Sequence, residues 1–228
     1  MHLFESAFFS SLLLIITINI VLSGDNAVVI AIACRRLPSE QRKKAILWGT
    51  FLAIIVRVIA TILAVYLLKI PYLYIIGGMI LLWISYNLLR EDDREEAIDS
   101  SEDLVQAVRT IVVADVMMGL DNVLAIAGAA KGDIVLIVLG LLISVPLMIF
   151  GSQLILKAME RFAWLVYAGA GVLAVTAANM ILMEETVHEW LAGRVWLEYA
   201  IKIGLVALVL VAGYWQRTQV NSRSTAKN

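Results

Sequence analysis

Two Asp-Asn pairs stand inside long apolar runs of the sequence and could hold a metal cation. Asp25-Asn26 lies in the segment SGDNAVVIAIA, and Asp121-Asn122 lies in the segment GLDNVLAIAGA. Each pair supplies one carboxylate and one amide carbonyl, which are hard oxygen ligands suited to magnesium, calcium or manganese. Because two carboxylates neutralise one divalent ion, these residues favour a divalent cation as the ligand.

Two further polar residues precede the pairs. Asn19 stands six positions before Asp25, and Asp115 stands six positions before Asp121. Six residues are about 600° of α-helix, so Asp115 and Asp121 would point some 120° apart on an unbroken helix. Either the helix unwinds between them, or Asp115 has another role, such as pairing with Arg57. Both alternatives are open at this point.

Glycines lie beside both pairs and have two interpretations. Gly24 and Gly119 could loosen their helices so that freed backbone carbonyls join the site, since broken helices are tolerated where they line a cavity. The alternative is that both glycines allow neighbouring helices to pack closely.

Met117 and Met118 lie about one turn before Asp121 and could add a thioether to the site. A soft sulfur ligand would favour a transition metal over calcium or magnesium. The alternative is that both methionines fill an irregular interior. Our hypothesis is that one of them contributes to metal selectivity, with Met118 as the candidate.

The elements that must position these residues are predicted to be membrane helices. Of 228 residues, 61% are hydrophobic and 16% are charged, against about 45–50% and 25% in soluble domains. Roughly 20 apolar residues cross a bilayer. The sequence therefore predicts an all-α, polytopic integral membrane protein with about seven transmembrane helices, near 7–33, 45–68, 71–90, 105–130, 133–156, 163–182 and 197–216.

An internal repeat relates the two halves of the chain. The two Asp-Asn segments are 96 positions apart, and Gly77-Gly78 matches Gly169-Ala170 at the same approximate spacing. We predict two inverted three-helix repeats, an arrangement typical of secondary transporters with a midplane site. The predicted divisions are a first repeat at 1–90, an acidic cytoplasmic linker at 91–104, a second repeat at 105–182, and an external segment, seventh helix and cytoplasmic tail at 183–228.

The positions of the basic residues predict the orientation. Thirteen Lys and Arg residues fall on one side of the seven-span plan and three on the other, which places the N-terminus outside and the C-terminus in the cytoplasm. The net charge of −1 gives no indication of a nucleic-acid partner. Stretches of small residues allow helix contacts within one chain or between copies, so a homo-oligomer is an open alternative.

Away from the ends of the predicted spans, five ionisable residues fall inside them: Asp25, Arg57, Asp115, Asp121 and Lys202. A charge there costs at least about 2.5–3.5 kcal/mol, so such residues usually mark a pathway. We expect Arg57 to be a counter-charge that holds the site when no metal is bound. Neighbouring carboxylates in a site of low dielectric repel each other, and uptake of protons would relieve this repulsion. Metal–proton antiport is the resulting hypothesis.

Two acidic segments lie outside the predicted spans. The segment EDDREEAIDSSED at 91–103 is either a solvated linker or an acidic antechamber that attracts cations. Glu184, Glu185, His188 and Glu189 could bind metal at helical spacing, although a short interfacial helix is the favoured interpretation.

The paired segments SGDNAVVIAIA and GLDNVLAIAGA, the acidic middle segment and the seven-span plan resemble the TerC family of bacterial membrane proteins, most closely its YjbE-type branch. The resemblance covers nearly the whole chain. It implies membership of the superfamily that includes LysE-like exporters, location in the bacterial inner (plasma) membrane, and manganese(II) efflux. It also implies that Asp25 and Asp121 are the acidic metal residues, with Asn26 and Asn122 beside them, and that no cofactor is permanently bound.

Other functions have less support from the residues. A membrane hydrolase would need a nucleophile with a base, yet His2 and His188 lie outside the predicted spans. A retinal protein would use Lys202, which lies near a helix end where lysine normally reaches the interface. Export of an amino acid or other small solute is the main alternative, because Arg57 could bind a substrate carboxylate. We therefore expect a transporter rather than an enzyme.

Overall fold

The described part of the protein is helical throughout. The computed structural model describes residues 6–22, 24–67, 69–90, 100–130 and 133–225. No strand occurs among them, which confirms the predicted all-α class. The helices are α1 Ser6–Leu22, α2 Gly24–Cys34, α3 Ser39–Ile62, α4 Ala64–Leu67, α5 Leu73–Arg90, α6 Ser100–Ala130, α7 Ile134–Arg161, α8 Trp164–Met183, α9 Glu185–Leu191 and α10 Val195–Thr225.

Five helices in the described ranges are long and apolar enough to cross a membrane. They are α3, α5, α7, α8 and, for α10, the part Val195–Trp215. The helices α1 and α2 contain shorter apolar stretches. Large apolar side chains cover the exterior, as expected for a surface that faces lipid tails rather than water. The chain is therefore a multi-pass membrane protein, while the count of seven spans stays a prediction.

The helices group into two compact units. The first unit comprises Met1–Pro71 and Ser100–Lys157, and the second comprises Tyr72–Asp99 and Ala158–Asn228. Each unit therefore takes helices from both sides of the acidic segment. This grouping differs from the predicted repeats at 1–90 and 105–182, whose boundaries and inverted relationship stay predictions.

In the first unit, α3 packs on α6 along a row of small residues. Ala45, Gly49 and Ala53 recur every four positions on α3 and are buried, so they share one face of the helix. A Cβ atom added to Gly49 would lie 2.7 Å from Cδ1 of Ile111 on α6. The two backbones thus approach closely, and the next residue in the row, Arg57, is brought to α6.

In the second unit, α5 packs equally closely on α8. The Ser85 hydroxyl donates a hydrogen bond of 2.7 Å to the backbone carbonyl of Ala170. About two turns away, a Cβ atom added to Gly78 would lie 2.7 Å from the backbone oxygen of Ala177 and 2.6 Å from Cγ1 of Ile181. Since backbone atoms cannot move aside as a side-chain end can, this contact requires glycine.

A Gly78→Ala variant should therefore lose stability. The added methyl group forces α5 and α8 apart, and overpacking of this kind costs typically about 1–3 kcal/mol. Unfolding of the purified protein in mixed detergent measures the loss. The matched control is Gly204→Ala on α10, where a new Cβ meets nothing within 4 Å and alanine favours the helix. Equal stability of both variants would contradict the packing argument.

Of the two acidic segments outside the predicted spans, the structure describes the second in full and only the end of the first. Residues 91–99 lie outside the described ranges, so their predicted role as linker or antechamber stays open. The segment after α8 contains the predicted short helix, α9. Glu184, just before α9, accepts a hydrogen bond of 3.2 Å from the backbone N–H of Tyr72. Among the described residues, which include this segment, no group of three or more His, Cys, Asp or Glu side chains could hold a metal ion.

Candidate metal site

An ion pair between α3 and α6 forms the centre of the candidate site. Nη2 of Arg57 donates to Oδ1 of Asp115, and both side chains are buried. Of the two roles left open for Asp115, the structure contains the pairing with Arg57. Removing one partner of such a buried pair typically costs about 3–5 kcal/mol, so the pair fixes the position of the Asp115 carboxylate.

A third helix contributes Asn26 to the same carboxylate. Nδ2 of Asn26, on α2, donates to Oδ1 of Asp115 over 3.1 Å. Asn26 is buried, as are its neighbours Val29 and Ile30, so α2 holds the amide against α6. Three helices thus converge on one carboxylate oxygen, which leaves the second oxygen of Asp115 available to a ligand.

Asp25 lies at the edge of this centre. Its side chain is only partly buried, and its Oδ1 accepts a hydrogen bond of 2.9 Å from the backbone N–H of Asn26. It lies within electrostatic range of both Arg57 and Asp115. Two carboxylates and one guanidinium therefore share this region, with a net charge of −1 when all three are ionised.

A small cavity opens beside the ion pair, within the first unit. Its volume of about 10 Å³ is roughly that needed by one water molecule. The cavity lies between α2, α3, α6 and α7. Its polar lining consists of Asn26, Thr50 and Asp115, and the other lining residues are Val29, Ile30, Ala53, Ile54, Ile111 and Met148.

Three oxygen atoms of this lining have no hydrogen-bond partner among the described residues. They are Oδ1 of Asn26, Oγ1 of Thr50 and Oδ2 of Asp115, and each side chain is more than nine-tenths buried. An unsatisfied buried polar group costs about 1–3 kcal/mol. Carboxylate, amide and hydroxyl oxygens are the ligands that hard divalent cations prefer. The cavity is therefore a candidate site for one small cation.

Of the two interpretations of Gly119, the structure contains the packing and not the loosened helix. The helix α6 is continuous from Ser100 to Ala130. A Cβ atom on Gly119 would lie 3.4 Å from Nε of Arg57, so the guanidinium packs against α6 at this glycine. Gly24 begins α2, and a Cβ atom there would meet nothing within 4 Å.

Two other predicted site residues, Asn122 and Met118, lie elsewhere on α6. Asn122 is buried on α6, seven residues from Asp115, which is close to two turns and hence the same face, about 10 Å along the axis. Met118 is buried on α6 but does not line the cavity. The side chains of Asn19 and Asp121 lie outside the described part of the structure.

Sequence reasoning missed two residues of the cavity, Thr50 and Met148. Thr50 is the neighbour in sequence of Gly49, which belongs to the row of small residues on α3, and this is a weak signal for a helix contact. Met148 has no such signal, because the position 96 residues earlier is Leu52. The proximity of both residues to Asp115 follows only from the packing of α3 and α7 around the cavity.

Comparison with known proteins places the chain among bacterial membrane proteins. The family described as "Integral membrane protein TerC family" matches residues 4–221. The membrane protein YjbE of Bacillus subtilis (strain 168) is 46% identical over 216 residues, which cover 94% of this chain and 99% of YjbE. YceF of the same organism is 30% identical over 131 residues, 53% of this chain and 51% of YceF. YkoY is 27% identical over 172 residues, 66% of this chain and 52% of YkoY. No solved structure matches the chain.

Proposed function

The chain belongs to the TerC family of integral membrane proteins, and from this premise we propose that it is a secondary transporter that exports a divalent metal cation. The proposed substrate is manganese(II). One observation carries this proposal: three buried, unpartnered oxygens of the described residues Asn26, Thr50 and Asp115 line one cavity beside a buried ion pair. A transporter needs such a site inside the membrane, where the cation exchanges its water for protein oxygens.

The ion pair gives the proposed cycle a means of release. A cation in the cavity competes with Arg57 for the carboxylate of Asp115, so the guanidinium returns to Asp115 when the cation leaves. Partly buried Asp25 extends the negative region to the edge of the site. In the proposed cycle Asp121 is the repeat-related counterpart of Asp25, protons are the counter-ions, and the C-terminus lies in the cytoplasm of a bacterial cell.

Export of an amino acid is less well supported than export of a cation. A cavity of about 10 Å³ suits one ion without its hydration shell. An amino acid would also need a cationic partner for its carboxylate, and Arg57 is engaged with Asp115. The alternative therefore requires both a larger cavity and a different ion pair.

Manganese accumulation and tolerance in bacteria with and without the protein test the proposed function. The wild type should lower cellular manganese and raise tolerance, while Asp25→Asn should lose most of both effects because the variant removes a carboxylate beside the site. Asp133→Asn is the matched control. Asp133 is exposed and accepts a hydrogen bond from the backbone N–H of Val135, a role that asparagine also fills.

Two results would contradict the proposed function. The first is a wild type that leaves both cellular manganese and tolerance unchanged. The second is higher cellular manganese in cells with the protein, which would indicate import. Equal membrane levels of the two variants, measured by immunoblot, ensure that a lost effect reflects lost transport.

A further inference from the structure

Met148 is the one sulfur-containing residue that lines the cavity in the part of the chain that the structure describes. It lies on α7, is buried, and lines the same cavity as the oxygens contributed by α2, α3 and α6. The residue also belongs to an apolar cluster that includes Ile15, Ile54 and Leu141. Met148 therefore belongs both to the apolar core and to the lining of the candidate cation site.

A thioether beside three oxygens changes which cations a site prefers. Calcium and magnesium prefer oxygen ligands only, and they gain little from sulfur. First-row transition-metal ions accept softer ligands, so one sulfur atom shifts the preference toward them. Oxygen ligands alone leave manganese(II) with little advantage over calcium or magnesium, which are far more abundant competitors in most media.

We propose that Met148 contributes a thioether ligand that makes this site prefer manganese(II) and similar transition-metal dications to calcium and magnesium. The proposal rests on the proposed function, since it concerns the selectivity of the same cation site. It replaces the sequence hypothesis for Met118, which is buried on α6 without lining the cavity. It also assigns a selectivity role to α7, the one helix at the cavity that contributes no oxygen among the described lining residues.

The substitution Met148→Leu tests the role of the sulfur atom. Leucine has a similar volume and polarity, and such exchanges in a core usually cost less than about 1.5 kcal/mol. Binding of manganese(II) and of calcium to the purified full-length protein is measured by calorimetric titration in detergent. We expect the ratio of the calcium to the manganese dissociation constant to fall about tenfold in Met148→Leu, with calcium binding little changed.

Met159→Leu is the matched control, because Met159 lies on the same helix, is also buried, and does not line the cavity. The ratio should be unchanged in this variant. A second measurement does not depend on affinity: X-ray absorption of the manganese-loaded wild type should show a sulfur scatterer in the metal shell, and Met148→Leu should lack it.

The outcomes separate this inference from the proposed function. A wild type that binds neither ion overturns the proposed function. A wild type that binds manganese, with an unchanged ratio in Met148→Leu or with only light scatterers in its metal shell, overturns the role of Met148 and leaves the cation site intact. If the ratio of the calcium to the manganese dissociation constant changes in Met118→Leu and not in Met148→Leu, the result supports the sequence hypothesis, in which Met118 contributes to selectivity.

Discussion

Replacement of Asp115 by asparagine is expected to reduce manganese affinity at least about 100-fold. Among the described residues that line the cavity, Asp115 is the one that carries a charge. Two opposite unit charges 4 Å apart attract by about 4 kcal/mol at an effective dielectric constant of 20. Even residues that only support a metal ligand typically contribute a factor of 10–100 to affinity. Titration of the purified variant with manganese chloride measures the loss.

Stability must be separated from binding in this experiment. Asp115→Asn takes from Arg57 the carboxylate that it contacts, and breaking a buried pair costs about 3–5 kcal/mol. The double variant Arg57→Gln/Asp115→Asn removes both charges, so it should melt close to the wild type and still fail to bind. Wild-type affinity in the folded double variant would place the cation site elsewhere in the protein.

The Arg57→Gln variant is expected to bind manganese at least about tenfold more tightly and yet export it more slowly. In the wild type the guanidinium competes with the cation for Asp115, and its removal takes away one positive charge beside the site. The same removal takes away the guanidinium that returns to Asp115 when the cation leaves, so release becomes slower. Titration gives the affinity, and manganese flux from loaded proteoliposomes gives the rate.

Arg161→Gln is the matched control for this second experiment. Arg161 is exposed at the end of α7 and lies over the ring of Phe162, so its loss should change neither affinity nor flux. Weaker manganese binding by Arg57→Gln would mean that Arg57 orients Asp115 for the cation and does not compete with it. The tolerance of cells that express each variant should follow the flux.

The sequence predicted the charged part of the site because charge is scarce in apolar runs. Asp25, Arg57 and Asp115 were found by that criterion, and the structure brings all three into one region. Threonine and methionine are common in membrane helices, so their presence there does not indicate a functional site. Thr50 and Met148 could therefore be found only after the helices had been placed around the cavity.

The local helix structure was harder to predict than the helix positions. The predicted runs agree with α3, α5, α7 and α8 to within several residues, because hydropathy determines where helices cross the membrane. Of the two alternatives for Gly119, unwinding does not occur. A glycine inside a helix costs only about 0.5–1 kcal/mol relative to alanine, which is too little to break α6, and Arg57 packs against the helix at this position.

The distance along the chain between Arg57 and Asp115 has a consequence for biosynthesis. The two partners are 58 positions apart, so the ribosome needs roughly 3–12 s to reach the second after the first. During that interval α3 has left the ribosome while its arginine lacks the carboxylate, at a cost of at least about 2.5–3.5 kcal/mol in lipid. Until α6 supplies that carboxylate, the apolar side chains of α3 must offset this cost if the helix is to stay in the membrane.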